Sequence, residues 1–343
     1  MRNISADLLR IICCMFVIGI HSTPNYALMV ETNQPTYIIL QSMILKAIVA
    51  IGLPVFFILS GWFLLNKKNN NLTSEYRKRF VTLLVPFLIY AFINYYYFHT
   101  ESFDKEGVRG FFKLLFESQI AIATHLWFVY VLLGIYLVLP ALRIVTDAIP
   151  KNKSIHAIIF IAFICSWPLY EYQIPKIFSG YKSIIPLPRI DVWVGYFIIG
   201  GLLARVKIRK EIALKLFGLS LIIQILATWL SVNKYGLDPR PFDTGLSMFF
   251  VSCMLTIVIT GIEFSNNSLS AKVITWIAPF TYGIYLMHMI LLVIISKYFS
   301  IDTVVDLVAV KTLIFMPAIF FSSLIIVYII DKLIVNKIIS LLN

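Results

Sequence analysis

The sequence predicts an all-α fold, a polytopic membrane protein in which a single bundle of about ten transmembrane helices makes up the whole chain. Of its 343 residues, 60% are hydrophobic and only 13% are charged, and the mean hydropathy is +0.88. The apolar residues come in blocks of about 20, the length that an α-helix needs to cross a bilayer. The connecting segments are too short for a separate soluble domain, so we expect one transmembrane domain over residues 1–343.

The predicted crossings follow one another closely, and the longest connection lies near 99–121. The first crossing carries charged residues and has no small-residue cleavage site after it, so we expect it to be retained and not removed as a signal peptide. Four cysteines fall inside crossings and are expected to be buried packing residues, with neither disulfides nor a metal site: Cys13, Cys14, Cys165 and Cys253. The crossings are predicted at 6–26, 41–65, 81–98, 122–142, 155–172, 188–206, 211–231, 244–264, 274–298 and 308–331.

The net charge of +12 is explained by membrane topology. With the N-terminus in the cytoplasm, the cytoplasmic loops carry nearly twice as many lysines and arginines as the opposite loops. This asymmetry predicts a multi-pass protein of the cell membrane with both termini in the cytoplasm. No nucleic acid is then needed as a partner, and the absence of a glycine-rich phosphate loop and of a His-Glu-x-x-His motif argues against a nucleotide motor or a metal enzyme.

The first crossing contains three ionisable residues, Asp7, Arg10 and His21, in an otherwise apolar stretch. The eleven steps from Arg10 to His21 turn a helix by about 1100°, some 20° beyond three full turns, so both side chains share one face with Asp7. One interpretation is a local Asp7–Arg10 ion pair with His21 at the headgroups of the opposite surface. The other is a polar stripe that lines a cavity on a substrate or proton path.

The chain resembles the acyltransferase 3 family of integral membrane acyltransferases. The first crossing of that family carries an arginine or lysine, ten intervening residues and a histidine, as Arg10 and His21 do here. Four further segments are similar to family segments in the same order: GLPVFFILSGWFL at 52–64, YRKRFVTLLVPF at 76–87, HLWFVYVLLGIYLVLP at 125–140 and YGIYLMHMI at 282–290. The ten-helix arrangement of the family agrees with the number of apolar blocks.

The resemblance implies an O-acyltransferase that transfers an acyl group, with acetyl expected, from cytoplasmic acyl-CoA to a hydroxyl of an extracytoplasmic surface polysaccharide or related glycan. Acetyl-CoA or another acyl-CoA is then a co-substrate, no cofactor is bound, and the partners are the acyl donor, the glycan acceptor and membrane lipids. Two other classes stay open. A flippase or permease for a lipid-linked sugar would carry the same polar stripe, and a ligand-binding membrane module is the third possibility.

The expected catalytic residues are His21, Arg10 and Asp7. A neutral His21, partly desolvated in a cavity, can accept the proton of the attacking hydroxyl or take part in an acyl relay. Arg10 would hold a phosphate of the donor or stabilise developing negative charge, and Asp7 would orient Arg10. Arg77 and Arg79 would also bind acyl-CoA through its phosphates, although both could serve only as topology signals.

Five residues are weaker candidates for the acceptor pocket, and each has a structural alternative. Ser60 precedes a glycine and could simply allow close helix packing. Trp127, near Tyr130, could be an interfacial aromatic anchor. Tyr285 and His288 lie three residues apart on one helix face and could form a packed polar seam between helices.

Overall fold

The computed structural model describes residues 2–24, 29, 31, 33–67, 72–177, 187, 189–235, 244–299 and 308–342. Among these residues every regular element is a helix and none is a strand. The all-α class predicted from the apolar blocks is therefore confirmed.

Fifteen α-helices are numbered in chain order through the described residues. The first eight are α1 Ile4–Ser22, α2 Thr36–Val49, α3 Gly52–Leu65, α4 Leu72–Phe98, α5 Thr100–Glu117, α6 Trp127–Leu137, α7 Leu139–Ala148 and α8 Ser154–Ile177. The others are α9 Val192–Leu203, α10 Lys210–Tyr235, α11 Leu246–Thr260, α12 Leu269–Ile277, α13 Thr281–Phe299, α14 Val308–Ile330 and α15 Asn336–Leu342. Short 3₁₀ turns lie at Thr124–Leu126, Lys151–Lys153 and Ala278–Phe280, and a π-helical turn lies at Asp331–Val335.

Seven helical segments of the described chain are long and apolar enough to cross a membrane, which makes this a multi-pass membrane protein. The bent pair α6 and α7 would raise the number to eight. The seven are Ile4–Ser22, Thr36–Leu65, Tyr76–Phe98, Lys151–Pro175, Lys210–Leu230, Leu269–Tyr298 and Thr312–Leu342.

Three predicted crossings differ from continuous long helices, so the count of about ten is not confirmed. The crossing predicted at 122–142 consists of α6 and α7, which meet at an angle of 65°. The crossings predicted at 188–206 and 244–264 are α9 and α11, with only 12 and 15 residues. Asp191 sets the start of α9 at Val192 by accepting hydrogen bonds from the backbone N–H groups of Trp193 and Val194. Hydropathy counts apolar residues, whereas a cap of this kind decides where a helix begins.

The chain folds into two compact units that are described separately here. The first unit consists of Met1–Lys67, Leu139–Ala278 and Val304–Leu313. The second unit consists of Lys68–Val138, Pro279–Thr303 and Ile314–Asn343.

In the first unit, glycines let α3 and α9 approach each other closely. A Cβ atom on Gly61 would overlap the backbone of Phe197, and one on Gly200 would overlap the carbonyl of Ile58. Small residues allow this backbone contact between apolar helices, where no larger side chain would fit. The two helices therefore form a tightly fixed pair.

Two arginines join helix ends at one end of the first unit. Arg143 donates from Nε and Nη2 to the carbonyl of Leu64, at 3.0 and 2.9 Å. Arg205 donates to the carbonyl of Thr146 at 2.8 Å and to Oδ1 of Asn66 at 3.3 Å. The C-terminal ends of α3, α7 and α9 therefore lie at the same end of the unit.

In the second unit, polar side chains connect α4 to α13 and to the π-helical turn. Asn94 is fully buried and donates to the carbonyl of Leu286 at 3.0 Å. Tyr90 donates its hydroxyl to Oδ1 of Asp331 at 2.8 Å. Such interhelical hydrogen bonds satisfy polar groups that would be costly among apolar side chains.

Candidate functional site

The polar stripe of the first crossing lies on one continuous helix, α1. Asn3 caps its N-terminus by accepting the backbone N–H of Ala6 at 2.9 Å. Because no break interrupts the helix up to Ser22, Arg10 and His21 share a face to within about 20° and are separated by about 16 Å along the axis. The shared face predicted from the spacing is therefore confirmed.

Asp7 is a buried carboxylate that is bound by two arginines. Its side chain is 3% exposed, and Oδ1 accepts a hydrogen bond from Nη1 of Arg10 at 2.6 Å. Its other oxygen, Oδ2, accepts from Nε of Arg2. Since a buried charge needs paired and hydrogen-bonded partners, this arrangement fixes the first turns of α1. The predicted Asp7–Arg10 ion pair is therefore present, with Arg2 as a second partner.

Arg10 is held from two sides. Besides its ion pair with Asp7, its guanidinium carbon lies 5.3 Å from the ring centroid of Phe63 on α3. A guanidinium over an aromatic ring gains a cation–π attraction. The side chain remains 38% exposed, so a fixed cation stays accessible to an anionic group.

His21 lies in the last turn of α1, and its side chain is exposed. The sequence led us to expect a partly desolvated imidazole. The structure differs because the bundle buries the next two residues, Ser22 and Thr23, and leaves the imidazole side of the turn open. His21 is therefore exposed at the surface of the first unit.

Lys46 is a residue at this site that the sequence reasoning missed. It belongs to α2, and its Nζ donates to the carbonyl of Ile20, the residue before His21. An ionisable residue inside a predicted crossing is a signal of function by itself, and Lys46 lies within the segment predicted at 41–65. The sequence could not show which helix end the lysine would contact.

Ser60, on α3, donates its hydroxyl to the carbonyl of Phe56 at 2.8 Å, within its own helix. The neighbouring Gly61 makes the close backbone contact with α9. The structure therefore shows the packing role that was the alternative for this Ser-Gly pair.

Arg77 and Arg79 lie on α4 in the second unit, two residues apart, so their side chains leave the helix about 200° apart. Arg77 is exposed, and its Nη2 donates to the carbonyl of Leu342 on α15 at 3.0 Å. Arg79 is half-buried. The pair does not form a single clamp on one side of the helix.

Trp127 and Tyr130 belong to α6, also in the second unit. Both are half-buried. The hydroxyl of Tyr130 donates to the carbonyl of Leu115 on α5 at 2.8 Å, and its ring packs edge-on against Phe87, with centroids 5.4 Å apart. Tyr130 thus connects three helices of this unit.

Tyr285 and His288 are buried on α13 and contact each other. The hydroxyl of Tyr285 donates to the carbonyl of His125, and the rings of His125 and His288 lie 5.0 Å apart. His125 also approaches the carbonyl of Leu286 through Nε2, at 3.2 Å. These contacts form a packed polar seam between α13 and the turn that precedes α6.

The predicted site residues therefore fall into two groups. The first unit contains Asp7, Arg10, His21 and Ser60, and the second contains Arg77, Arg79, Trp127, Tyr130, Tyr285 and His288. All four cysteines are buried, as expected for packing residues. Within the described residues, no group of three or more histidines, cysteines or carboxylates is arranged to hold a metal ion.

The structure thus defines a multi-pass membrane protein with a polar site on its first helix. A fixed cation and a histidine lie on one face of that helix. The family model for the acyltransferase domain that defines the acyltransferase 3 family matches residues 3–332. The chain belongs to that family and is a membrane acyltransferase. No curated protein and no solved structure matches it.

Proposed function

We propose that this protein is an O-acyltransferase that transfers an acetyl group from cytoplasmic acetyl-CoA to a hydroxyl of an extracytoplasmic surface glycan. The observation that carries the proposal is the first helix of a chain in this family. In that helix, Asp7 holds Arg10 in an accessible position. His21 is exposed on the same face, at a distance along the helix axis of about half the thickness of the hydrocarbon core. A charge and an imidazole in this arrangement suit a reaction between an anionic donor and a hydroxyl.

The proposed reaction is acyl transfer to oxygen. The acceptor hydroxyl attacks the thioester carbonyl while the neutral imidazole of His21 takes its proton. A carbon–oxygen bond forms and the carbon–sulfur bond breaks. The thiolate of CoA leaves, takes up a proton and becomes the free thiol, so the products are the acetyl ester of the glycan and CoA.

The separation of Arg10 and His21 favours one of the two roles considered for Arg10. A cation about 16 Å along the axis from the proton acceptor is too far away to stabilise charge on the reacting carbonyl. It is well placed to bind a phosphate at one end of a donor whose thioester lies at the other end. We therefore assign Arg10 to the phosphates of acyl-CoA and not to the reacting carbonyl.

Lys46 supplies the cation at the opposite end of the helix. Its contact with the carbonyl of Ile20 holds the turn that carries His21. Lys46 is thus a positioning residue for His21 in this proposal.

A second donor contact is proposed on α4. Because Arg77 already binds the carbonyl of Leu342, and because the two arginines diverge on the helix, Arg79 is expected to contribute more to donor binding than Arg77. For the acceptor, Trp127 is the favoured contact, since the polar groups of Tyr130 and Tyr285 are used within the protein.

The orientation belongs to the same proposal: a protein of the cell membrane with both termini in the cytoplasm. The basic residues support this orientation, because they are concentrated on the side predicted to be cytoplasmic. The arginine contacts at Leu64 and Thr146 agree with the alternation of the crossings, since they bring together helix ends that this topology requires to be on one side.

The test is acetyl transfer by the purified protein in vesicles, with acetyl-CoA added and the acceptor glycan analysed by mass. His21→Ala should lower the rate about 10²–10⁴-fold, the usual contribution of a positioned general base. Met15→Ala, at a half-buried position of α1 on a different face, should keep near wild-type activity.

Two results would contradict the proposal. Acetylated glycan formed at a near wild-type rate by His21→Ala would remove the imidazole from the mechanism. Movement of a lipid-linked sugar across the vesicle membrane without any consumption of acetyl-CoA would favour the flippase class instead.

A further inference from the structure

We propose that the second half of α5, from Val108 to Glu117, lies flat in the membrane interface and inserts one stripe of side chains into lipid. The partner is the lipid surface itself. This inference concerns an element outside the catalytic residues and does not depend on the acyltransferase reaction.

Gly107 separates this segment from the first half of α5. Its backbone has φ +54° and ψ −134°, a conformation that residues with a Cβ atom rarely adopt. Tyr95 donates its hydroxyl to the carbonyl of Gly107 at 3.2 Å, and the same tyrosine packs against Gly110, where a Cβ atom would clash. The kink and the two glycines therefore set the direction of the segment against α4.

One face of the segment packs on the protein. Phe111 and Leu115 are 3% and 6% exposed. The ring of Phe111 contacts that of Phe92 edge-on, with centroids 5.3 Å apart. Tyr130 binds the carbonyl of Leu115 from the other side. The segment is thus a fixed part of the second unit.

A second face carries exposed apolar side chains at a spacing of four residues. Val108, Phe112 and Phe116 are 56%, 49% and 83% exposed. Ile120, in the turn beyond the helix, is also 55% exposed. Large apolar side chains that are exposed together in this way mark an interaction surface.

A third face carries charges next to the apolar stripe. Arg109, Lys113 and Glu117 each follow a stripe residue by one position, so their stripe is rotated by about 100°. All three are exposed. A helix lying in a membrane interface needs this pattern, with apolar side chains among the acyl chains and charged ones at the headgroups.

Position in the chain identifies lipid as the partner. The membrane-crossing α4 ends at Phe98, and only His99 separates it from α5, so α5 starts where the chain leaves the bilayer. His99 contacts the carbonyl of Ile122 through Nε2 at 2.9 Å, which brings both ends of the connection to the same crossing. The connection that carries the exposed stripe therefore starts and ends beside the end of a membrane-crossing helix.

The experiment compares neighbouring residues of the full-length protein in vesicles. Phe116→Cys and Glu117→Cys are each labelled with an environment-sensitive fluorophore, and labelled wild type corrects for reaction at the buried native cysteines. The vesicles contain phosphatidylcholine and phosphatidylglycerol. Quenching is measured with nitroxide-bearing lipids and with aqueous iodide. We expect emission from position 116 to be blue-shifted and quenched by the lipid nitroxide, and position 117 to be quenched by iodide.

A second pair, Phe112→Cys and Lys113→Cys, repeats the test one turn earlier and serves if the first pair does not fold. Equal quenching by iodide at positions 116 and 117 would place the segment in water and overturn the inference. Shielding of position 116 from both quenchers would do so as well, because it would indicate a protein partner in place of lipid.

Discussion

At the scale of single residues, Asp7 decides where Arg10 lies. One nearly buried carboxylate binds two arginines, and one of these also lies over an aromatic ring. The sequence predicted the pair of Asp7 and Arg10 because three-residue spacing on a helix brings side chains together. It could not predict that Arg2 binds Asp7 or that Phe63 lies against Arg10, because these contacts depend on the fold of the helix start and on the packing of α3.

Asp7→Asn should weaken donor binding. A hydrogen bond to a charged group contributes about 1.5–3 kcal/mol, and 1.4 kcal/mol corresponds to about tenfold in affinity. The apparent KM for acetyl-CoA should therefore rise about 10- to 100-fold, with a smaller change in kcat. The same substitution at Asp104, an exposed carboxylate on α5, provides the control. An unchanged KM in a normally expressed Asp7→Asn protein would show that the ion pair has no part in donor binding.

Lys46→Met should lower kcat and leave the KM for the donor unchanged. Loss of the contact with the carbonyl of Ile20 frees the turn that carries His21, and a small displacement of a catalytic group costs about 100-fold in rate. Lys46→Arg should restore a large part of the rate, since arginine keeps the positive charge and can still donate a hydrogen bond to the carbonyl of Ile20. If Lys46→Met keeps full activity while His21→Ala is inactive, Lys46 has no positioning role and the proposed reaction still stands.

At the scale of elements, small residues and caps determine how the helices end and pack. The apolar blocks read from the sequence do form helices, but the prediction assigned one full crossing to each block, and some of these helices are short or bent. Glycine contacts such as those of Gly61 and Gly200 were only partly predictable. A glycine pattern indicates close packing, whereas the partner helix depends on distant parts of the chain. The break between α6 and α7 was not predicted, because both helices are apolar enough to read as one block.

Gly61→Ala should destabilise the first unit. The added methyl group would overlap the backbone of Phe197, and overpacking of this kind costs about 1–3 kcal/mol. The melting midpoint in detergent, followed by circular dichroism, should fall. Gly218→Ala is the matched control, because no atom lies within 4 Å of its added methyl group. Alanine there should leave the midpoint unchanged or raise it. Equal midpoints for both variants would refute the close contact.

At the scale of the whole molecule, the apolar helices and the family match agree on a membrane acyltransferase. The family match covers residues 3–332 and therefore runs through the segments of both compact units. The spacing of Arg10 and His21 could be predicted because it lies within one helix. Contacts such as Lys46 with α1 depend on how separate crossings pack, which a single sequence does not encode locally.

Cysteine labelling in intact cells tests the proposed orientation. Cysteines introduced at Lys67 and Asp147 should be protected from a membrane-impermeant reagent, since both positions belong to the arginine-linked end predicted to be cytoplasmic. A cysteine at the exposed Ser118 should react. Labelling of Lys67→Cys or Asp147→Cys in intact cells, with Ser118→Cys protected, would reverse the orientation and the donor side with it.

The two arginines that join helix ends in the first unit also determine its electrostatic field. The peptide dipoles of an α-helix leave a partial negative charge at its C-terminus, and three such ends meet where Arg143 and Arg205 donate to Leu64 and Thr146. Asp147, which pairs with Arg205 at 2.8 Å, adds a further negative charge there. The two guanidinium groups therefore offset most of the negative charge at this end of the unit, which would otherwise repel a molecule carrying several phosphates from the end at which Arg10 lies.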